Sequence, residues 1–389
     1  MAIYLIRFTT WGSWSLLFSF FAVWLSREAP FSPADISLLA ATIALANRAG
    51  GLVFVPWIGR WRLRRVLILT QLAIILAAAG LQWLYNHGDY LLEAWLPLAA
   101  LFGVAHSLAS LAQLTYLAAG GAGQNQVRAF SMENVALNLS AGITPFLSAL
   151  VLDELAPWYL VVPVVYCLAT LALTGFISDL APAHAGAKPG GTTSATSAKA
   201  LGMFLLLNAL SFFAFSQFYN VFPFFARQQL SAQSIGLWFA LSSGMIVLLQ
   251  LPLTRLLAAR PRRWLVIAAN GVMGVGVLGL LQAVQSVPAA FLAVLCLTLA
   301  EMVFGPLYQV MVLGLMPGRP AFAMGLLTLI WASAEAMATG VGLYLVAEGQ
   351  ATLAFGLAAC ACLGAVSIGL VFGRLHGRGP LSQALRAPH

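Results

Sequence analysis

Hydrophobic residues recur in runs of about 20 along almost the whole chain, each long enough to cross a hydrocarbon core of roughly 30 Å as a helix. Short polar or Pro/Gly-bearing breaks separate the runs. The pattern predicts helices 1 to 12 at 5–26, 35–58, 65–85, 91–118, 129–152, 158–179, 201–226, 233–258, 264–285, 289–315, 321–346 and 351–373. No soluble domain of useful size is left between them. The first run lacks a small-residue cleavage pattern and leads straight into the second, so it is expected to be a membrane helix rather than a signal peptide. The reading is an all-α, multi-pass membrane protein.

Composition agrees, and charge adds an orientation. Of the 389 residues, 61% are hydrophobic and 8% charged, far too few charges to solvate a globular surface. The formal net charge of +8 would suit a nucleic-acid partner, but the basic residues are unevenly placed. With the N-terminus inside, the inner loops hold Arg60, Arg62, Arg64, Arg65, Arg128, Lys188, Lys199, Arg255, Arg260, Arg262, Arg263, Arg319, Arg374, Arg378 and Arg386, and the outer loops hold Arg27 and Arg227. That is the positive-inside asymmetry, and it puts both termini in the cytoplasm. The basic excess therefore reports membrane orientation, and no nucleic-acid partner is expected. Cys167, Cys296, Cys360 and Cys362 sit inside apolar helices without His at metal spacing, so they read as small packing residues and no metal or other cofactor is expected.

The chain is written twice. Residues 181–199, rich in Gly, Ser and Thr, form the one long polar stretch, which cannot bury an apolar core and is expected to be an inner loop. It separates a six-helix bundle at 1–180 from a second at 200–374, with a cytoplasmic tail at 375–389. FSPADISLL before helix 2 matches LSAQSIGLW before helix 8, with Ser32 and Ser231 as N-caps. RAFSM at helix 5 matches RPAFAM at helix 11, and Pro56 and Pro252 each precede an Arg cluster. With these features the chain resembles the major facilitator superfamily (MFS). The 2–3 loop signature of that family corresponds to GRWRLRR from Gly59, without the acidic residue, and the Gly/Pro-rich helix 5 stretch of its exporters corresponds to GITPFLSA from Gly142. The resemblance implies alternating access by two pseudo-symmetric bundles, with helices 1, 4, 7 and 10 around a central cavity.

Polar groups in the spans mark candidate sites, since a charge in hydrocarbon costs on the order of 2–4 kcal/mol on insertion scales. Helix 4 carries Gly103, His106, Ser110 and Gln113 at spacings that share one face. Helix 10 carries Thr298, Glu301, Gly305 and Tyr308, and adding 195 to each number of the first set yields the second. Glu301 is the first choice for a proton-coupling carboxylate; some family members also use a glutamate in helix 10. The competing reading is a structural hydrogen bond. His106 is a proton relay or a substrate contact, or else an interhelical hydrogen bond. Glu335 follows Trp331 by one turn, which suits an organic or cationic ligand, or alternatively an Arg partner across the bundle. Asn134 and Asn138 share a face of helix 5, to bind substrate or to join helices. Aromatic helix 7 interleaves Asn208, Ser211, Gln217 and Asn220, of which Asn208 and Gln217 are candidate substrate contacts, with Tyr308 and Gln113. Arg48, deep in helix 2, and Arg128 with Glu133 at the inner end of helix 5 are expected to form gating or structural pairs. Arg7 is expected to snorkel.

The functional expectation is a monomeric, proton-coupled secondary transporter in the cytoplasmic membrane that moves a small organic molecule, with efflux favoured. The alternative is a proton symporter importing a polar metabolite. Protons, the substrate and membrane lipids are the expected partners. An intramembrane enzyme would need a His, Cys or carboxylate cluster at one membrane face, and the ionisable groups lie singly at scattered depths. A sensor without transport is compatible with the same sequence. No Gly-rich Lys-Ser/Thr nucleotide loop is present, which argues against direct ATP drive.

Overall fold

The fold comes from a computed structural model that describes residues 1–58, 60–119, 124–179, 195–227 and 229–375. Gly59, most of the predicted linker and the tail from residue 376 lie outside the described residues, as do the side chains of Pro56 and Pro145. The described secondary structure is helical throughout. In chain order α1 is Ala2–Glu28, α2 Pro33–Ile58, α3 Leu63–Asn86, α4 Leu92–Ala119 and α5 Gln124–Glu154. A 3-10 turn at Ala156–Val161 leads into α6, Val162–Thr174. α7 begins as Ala195–Ser216, widens to a π turn at Gln217–Val221 and resumes at Phe222–Ala226. The last five are α8 Ala232–Leu257, α9 Arg262–Ala283, α10 Val287–Leu315, α11 Pro320–Ala347 and α12 Ala351–Leu375. Among the described residues ten of these segments are long and apolar enough to cross a membrane; α1 and α5 are not in that set.

The predicted N-caps are in place. Ser231 Oγ accepts from the Ser234 N–H at 3.1 Å. At α2 the box is reciprocal: Ser32 Oγ accepts from the Asp35 N–H at 3.2 Å, and Asp35 Oδ2 accepts from the Ser32 N–H at 3.2 Å. Along α3, Val66, Leu67, Thr70, Ile74, Ala77, Ala78 and Leu81 form a buried stripe, while Leu69, Leu72, Leu76 and Trp83 are exposed. A helix with apolar residues on both faces is suited to lipid on one side and to a bundle on the other.

Two compact units emerge. The first comprises Met1–Gly120, Ala136–Lys188 and Gly318–Gly325; the second comprises Gly121–Val135, Pro189–Pro317 and Leu326–His389. The first is cored by Leu17, Phe21, Trp24, Leu81, Trp95, Phe102 and Tyr159. Its polar tips are satisfied inside: Trp24 Nε1 donates to the Ala156 carbonyl at 2.7 Å, and Tyr159 donates to the Leu16 and Leu17 carbonyls at 2.8 Å. Several aromatics of α1 thus pack inward. At the start of α3, Arg62 Nη1 meets Asp179 Oδ2 at 2.9 Å, with the two side chains 57% and 27% exposed. Water weakens such a pair, so Asp179→Asn is expected to lower stability by less than about 1 kcal/mol, read as a nearly unchanged melting temperature in detergent.

Candidate functional site

In the first unit the α4 stripe faces α1 and α2. Gly103 lies against α2: an added Cβ would stand 2.5 Å from the Ile43 carbonyl oxygen. His106 is buried, its ring 4.5 Å from Phe102 and 5.6 Å from Trp14. Its Nδ1 is 3.3 Å from the Phe102 carbonyl, and among the described residues Nε2 has no hydrogen-bond partner. Gln113, fully buried, donates to Thr10 Oγ1 at 2.8 Å. Arg7 donates to Ser110 Oγ at 2.7 Å and to Gln113 Oε1 at 3.2 Å. Snorkelling is the expectation for Arg7; instead the residue is buried, 5% exposed, and its guanidinium bonds to the α4 stripe. The physical reason is the polar stripe itself, which supplies acceptors within reach, and a hydrogen bond to a charged group is worth about 1.5–3 kcal/mol.

In the second unit the α10 stripe faces α7, α8 and α9. Thr298 donates to Ser242 of α8 at 2.9 Å. Glu301 Oε2 accepts from the Tyr219 hydroxyl of α7 at 3.4 Å, and that hydroxyl also lies 3.4 Å from Ser242 Oγ. Tyr308, fully buried, is 2.8 Å from Ser211 Oγ and accepts from Asn270 Nδ2 at 3.0 Å, so its hydroxyl joins α7, α9 and α10. Tyr308→Phe is expected to lower stability by about 1 kcal/mol through these lost bonds, measured as a depressed melting midpoint in detergent.

One neighbourhood on α11 gathers several predicted residues. Glu335 Oε1 accepts from Asn220 Nδ2 at 3.3 Å, and the same amide donates to Thr339 Oγ1 at 3.0 Å. One turn before Glu335, Trp331 stacks on Phe212 with centroids 5.3 Å apart and donates from Nε1 to Asn208 Oδ1 at 3.0 Å. Gln217 is buried and donates to the Ala338 carbonyl at 3.4 Å. Asn208, Gln217, Trp331 and Glu335 are therefore collected by α7 and α11.

The α5 residues go elsewhere. Asn134 Nδ2 donates to Gln250 Oε1 at 3.0 Å, and Gln250 in turn donates to the Met302 carbonyl at 2.8 Å. Asn138 and Glu133 are buried, whereas Arg128 and Arg48 are exposed. Five helical residues put Arg128 and Glu133 roughly 140° apart around α5. Tyr219, Asn220 and Ser242 were not singled out from sequence as site residues. One signal for the first two was present: Pro223, four residues beyond Tyr219 in an otherwise helical run.

The family model of the Major Facilitator Superfamily matches residues 3–230, more than half of the chain. The chain belongs to this superfamily. No curated protein sequence matches it. Among solved structures the MFS chain is similar to the human organic anion transporter MFSD10 (TETRAN), with a TM-score of 0.74 and 17% identity over 95% of this chain and 98% of that one. It is similar to the MFS proton:xylose symporter XylE, with a TM-score of 0.74, 14% identity and coverage of 95% and 94%. It is also similar to a bacterial homologue of the iron transporter ferroportin in an outward-facing state, at a TM-score of 0.74 and 15% identity, covering 95% and 98%. At these identities the likeness concerns the fold, which is that of an all-α, multi-pass membrane transporter with two pseudo-symmetric six-helix bundles. An MFS protein is a transporter rather than an enzyme, and it binds a small-molecule substrate.

Proposed function

We propose that the protein is a proton-coupled secondary active transporter that moves a small organic molecule across the cytoplasmic membrane by alternating access, with both termini cytoplasmic. The halves 1–180 and 200–374 act as the moving bundles, joined by the segment 181–199, whose last five residues are the first turn of α7. The observation that carries the reading is the pairing of two membrane carboxylates with one helix: Glu301 is held by Tyr219 and Glu335 by Asn220, adjacent residues of α7. A carboxylate inside a membrane protein is costly unless it is used or compensated. Glu301 is the proton site, and His106, at the matching position of the first half, is its counterpart. Glu335, Trp331, Asn208, Gln217, Asn138 and Asn134 contact substrate, and Tyr308 and Gln113 hold the flanking helices. The stacked Trp331 and Phe212 rings suit an amphipathic or aromatic compound. Arg48, Arg128 and Glu133 serve gating or structural pairs. Proton coupling is supported by analogy of fold with the proton:xylose symporter. The aromatic character of α7 and the Gly142–Pro145 segment, which corresponds to the Gly/Pro-rich stretch of exporters, favour efflux.

The test is reconstitution of the full chain in liposomes with an imposed pH gradient, a panel of small organic compounds, and a pH dye inside. Substrate-dependent proton movement is the expected result. Substrate movement that leaves internal pH unchanged would sink the coupling, and the sign of substrate movement under the gradient decides direction.

A further inference from the structure

The π turn of α7 sits where the two membrane carboxylates are held. The Phe222 N–H donates to the Gln217 carbonyl, a five-residue step that replaces the ordinary four-residue one. Pro223 is the cause: it has no N–H to give to the Tyr219 carbonyl, and its ring crowds that carbonyl. The turn is accommodated at α11 by Gly342, where an added Cβ would stand 2.5 Å from Val221 Cγ2 and 2.8 Å from Gln217 Oε1.

The wider turn sets the direction in which Tyr219 and Asn220 point. Before it, Ser211 points to Tyr308 of α10, and Phe212 stacks on Trp331 of α11. Within it, Tyr219 points to Glu301 of α10, and Asn220 to Glu335 of α11. Each pair is eight residues apart. Eight α-helical residues end about 80° past a whole number of turns, so an unbroken helix would swing Tyr219 and Asn220 off the faces that Ser211 and Phe212 define. One residue absorbed by the π turn leaves seven effective steps, about 20° short of two turns. The two residues are then back in phase with α10 and α11.

We infer that the π turn of α7 is the element that couples Glu301 to Glu335, with Tyr219 and Asn220 as positioning residues that make proton occupancy of one carboxyl depend on the state of the other. Both side chains leave one short, rigidly phased turn. Pro223 keeps the turn wide throughout, so a change at Glu301 that releases Tyr219 lets the turn rotate as a unit, and the same rotation withdraws Asn220 from Glu335. Coupling of this kind is reciprocal. Glu301 is faced by the titratable Tyr219 from α7 and lies one turn from Thr298, whose partner is Ser242 of α8. Glu335 is faced by Asn220 from α7 and flanked on its own helix by Trp331 and Thr339. The inference rests on the reading of these two carboxyls as the proton and substrate groups of the transporter.

The experiment needs no substrate, because its probe is the proton. The full chain in lipid nanodiscs is titrated while the carboxylic-acid carbonyl stretch is followed by infrared spectroscopy, and the two bands are identified by their loss in Glu301→Gln and Glu335→Gln. In the native protein the expected result is that Glu301→Gln moves the Glu335 midpoint, and Glu335→Gln moves the Glu301 midpoint, by about half a pH unit, roughly threefold in proton affinity. Tyr219→Phe and Asn220→Ala are expected to shrink that displacement. Pro223→Ala is the decisive variant. It restores the missing N–H, keeps both carboxyls and both positioning side chains, and favours the helix, so folding is not at risk. It is expected to abolish the displacement. Midpoints that ignore each other in the native protein, or a displacement that survives intact in Pro223→Ala, overturn the inference. Substrate-driven proton flux that persists in Pro223→Ala with the displacement gone would remove the π turn from the mechanism and leave the transporter reading standing. A displacement behaving as expected in a protein whose substrate flux moves no protons would do the reverse.

Discussion

Glu301→Gln is expected to reduce substrate-dependent proton movement in liposomes to background. Gln has nearly the shape of Glu and keeps an oxygen that can accept from the Tyr219 hydroxyl, so the bond that runs at 3.4 Å in the native protein has a replacement. What disappears is the ability to take up and release a proton. The variant should therefore fold and melt much as the native protein does, while losing substrate accumulation driven by a pH gradient. Exchange of labelled for unlabelled substrate needs no net proton step, and it should persist if Glu301 carries only the proton. Tyr219→Phe should act in the same direction but less, about 10-fold, because one long hydrogen bond to a charged group sits at the low end of 1.5–3 kcal/mol. Full proton-coupled flux in Glu301→Gln would move the proton site elsewhere, with His106 the next position to substitute.

Most of the helices were legible because a membrane imposes one rule on a spanning helix, about 20 apolar residues between polar breaks, and ten of the segments meet it among the described residues. The internal repeat extends to which positions lie against each other within each unit. Position 103 meets Asn47 of α2, and position 298 meets Ser242 of α8; both members of the second pair are 195 residues beyond the first. The shared face of each stripe was likewise readable from spacing. Its neighbours were not, since periodicity says which residues point together and nothing about what they meet. Ser110 and Gln113 turn out to receive Arg7 from α1, a residue whose place near a helix end suggested snorkelling. Tyr308 turns out to tie three helices through Ser211 and Asn270.

The π turn was hidden for a different reason. A count in steps of 3.6 residues carries one phase along the whole of α7, and that phase directs Tyr219 and Asn220 to the wrong neighbours. Pro223 marks where the count slips, but a proline in a membrane helix can yield a kink, a bulge or a compensated bend. Only the Phe222 to Gln217 bond distinguishes them. The consequence is that the two residues adjoining the carboxylates looked, in sequence, like two more members of an aromatic and polar helix.

The largest stability loss is expected from Gly103→Val. An added Cβ at position 103 would lie 2.5 Å from the Ile43 carbonyl oxygen, 2.7 Å from Ala46 Cβ and 2.9 Å from the Asn47 nitrogen. Two of these three atoms are backbone, so no rotamer change in α2 can make room. The adjoining Gly50 of α2 is as tight, with its added Cβ 2.7 Å from Val104 Cα. The two helices therefore approach along glycine from both sides, as small residues permit in membrane bundles. Overpacking of this kind costs about 1–3 kcal/mol and sometimes more, which exceeds the roughly 1 kcal/mol of helix propensity that replacing glycine returns. Gly103→Ala should already lower the melting temperature in detergent, and Gly103→Val should prevent recovery of a monodisperse protein. Gly305→Ala is the control, because nothing lies within 4 Å of its added Cβ; it should melt at or slightly above the native temperature. The comparison separates two uses of a polar, glycine-bearing stripe. If Gly103→Ala and Gly305→Ala melt alike, the α2–α4 approach is looser than these distances require, and the first bundle has more freedom than a rigid rocking body should have.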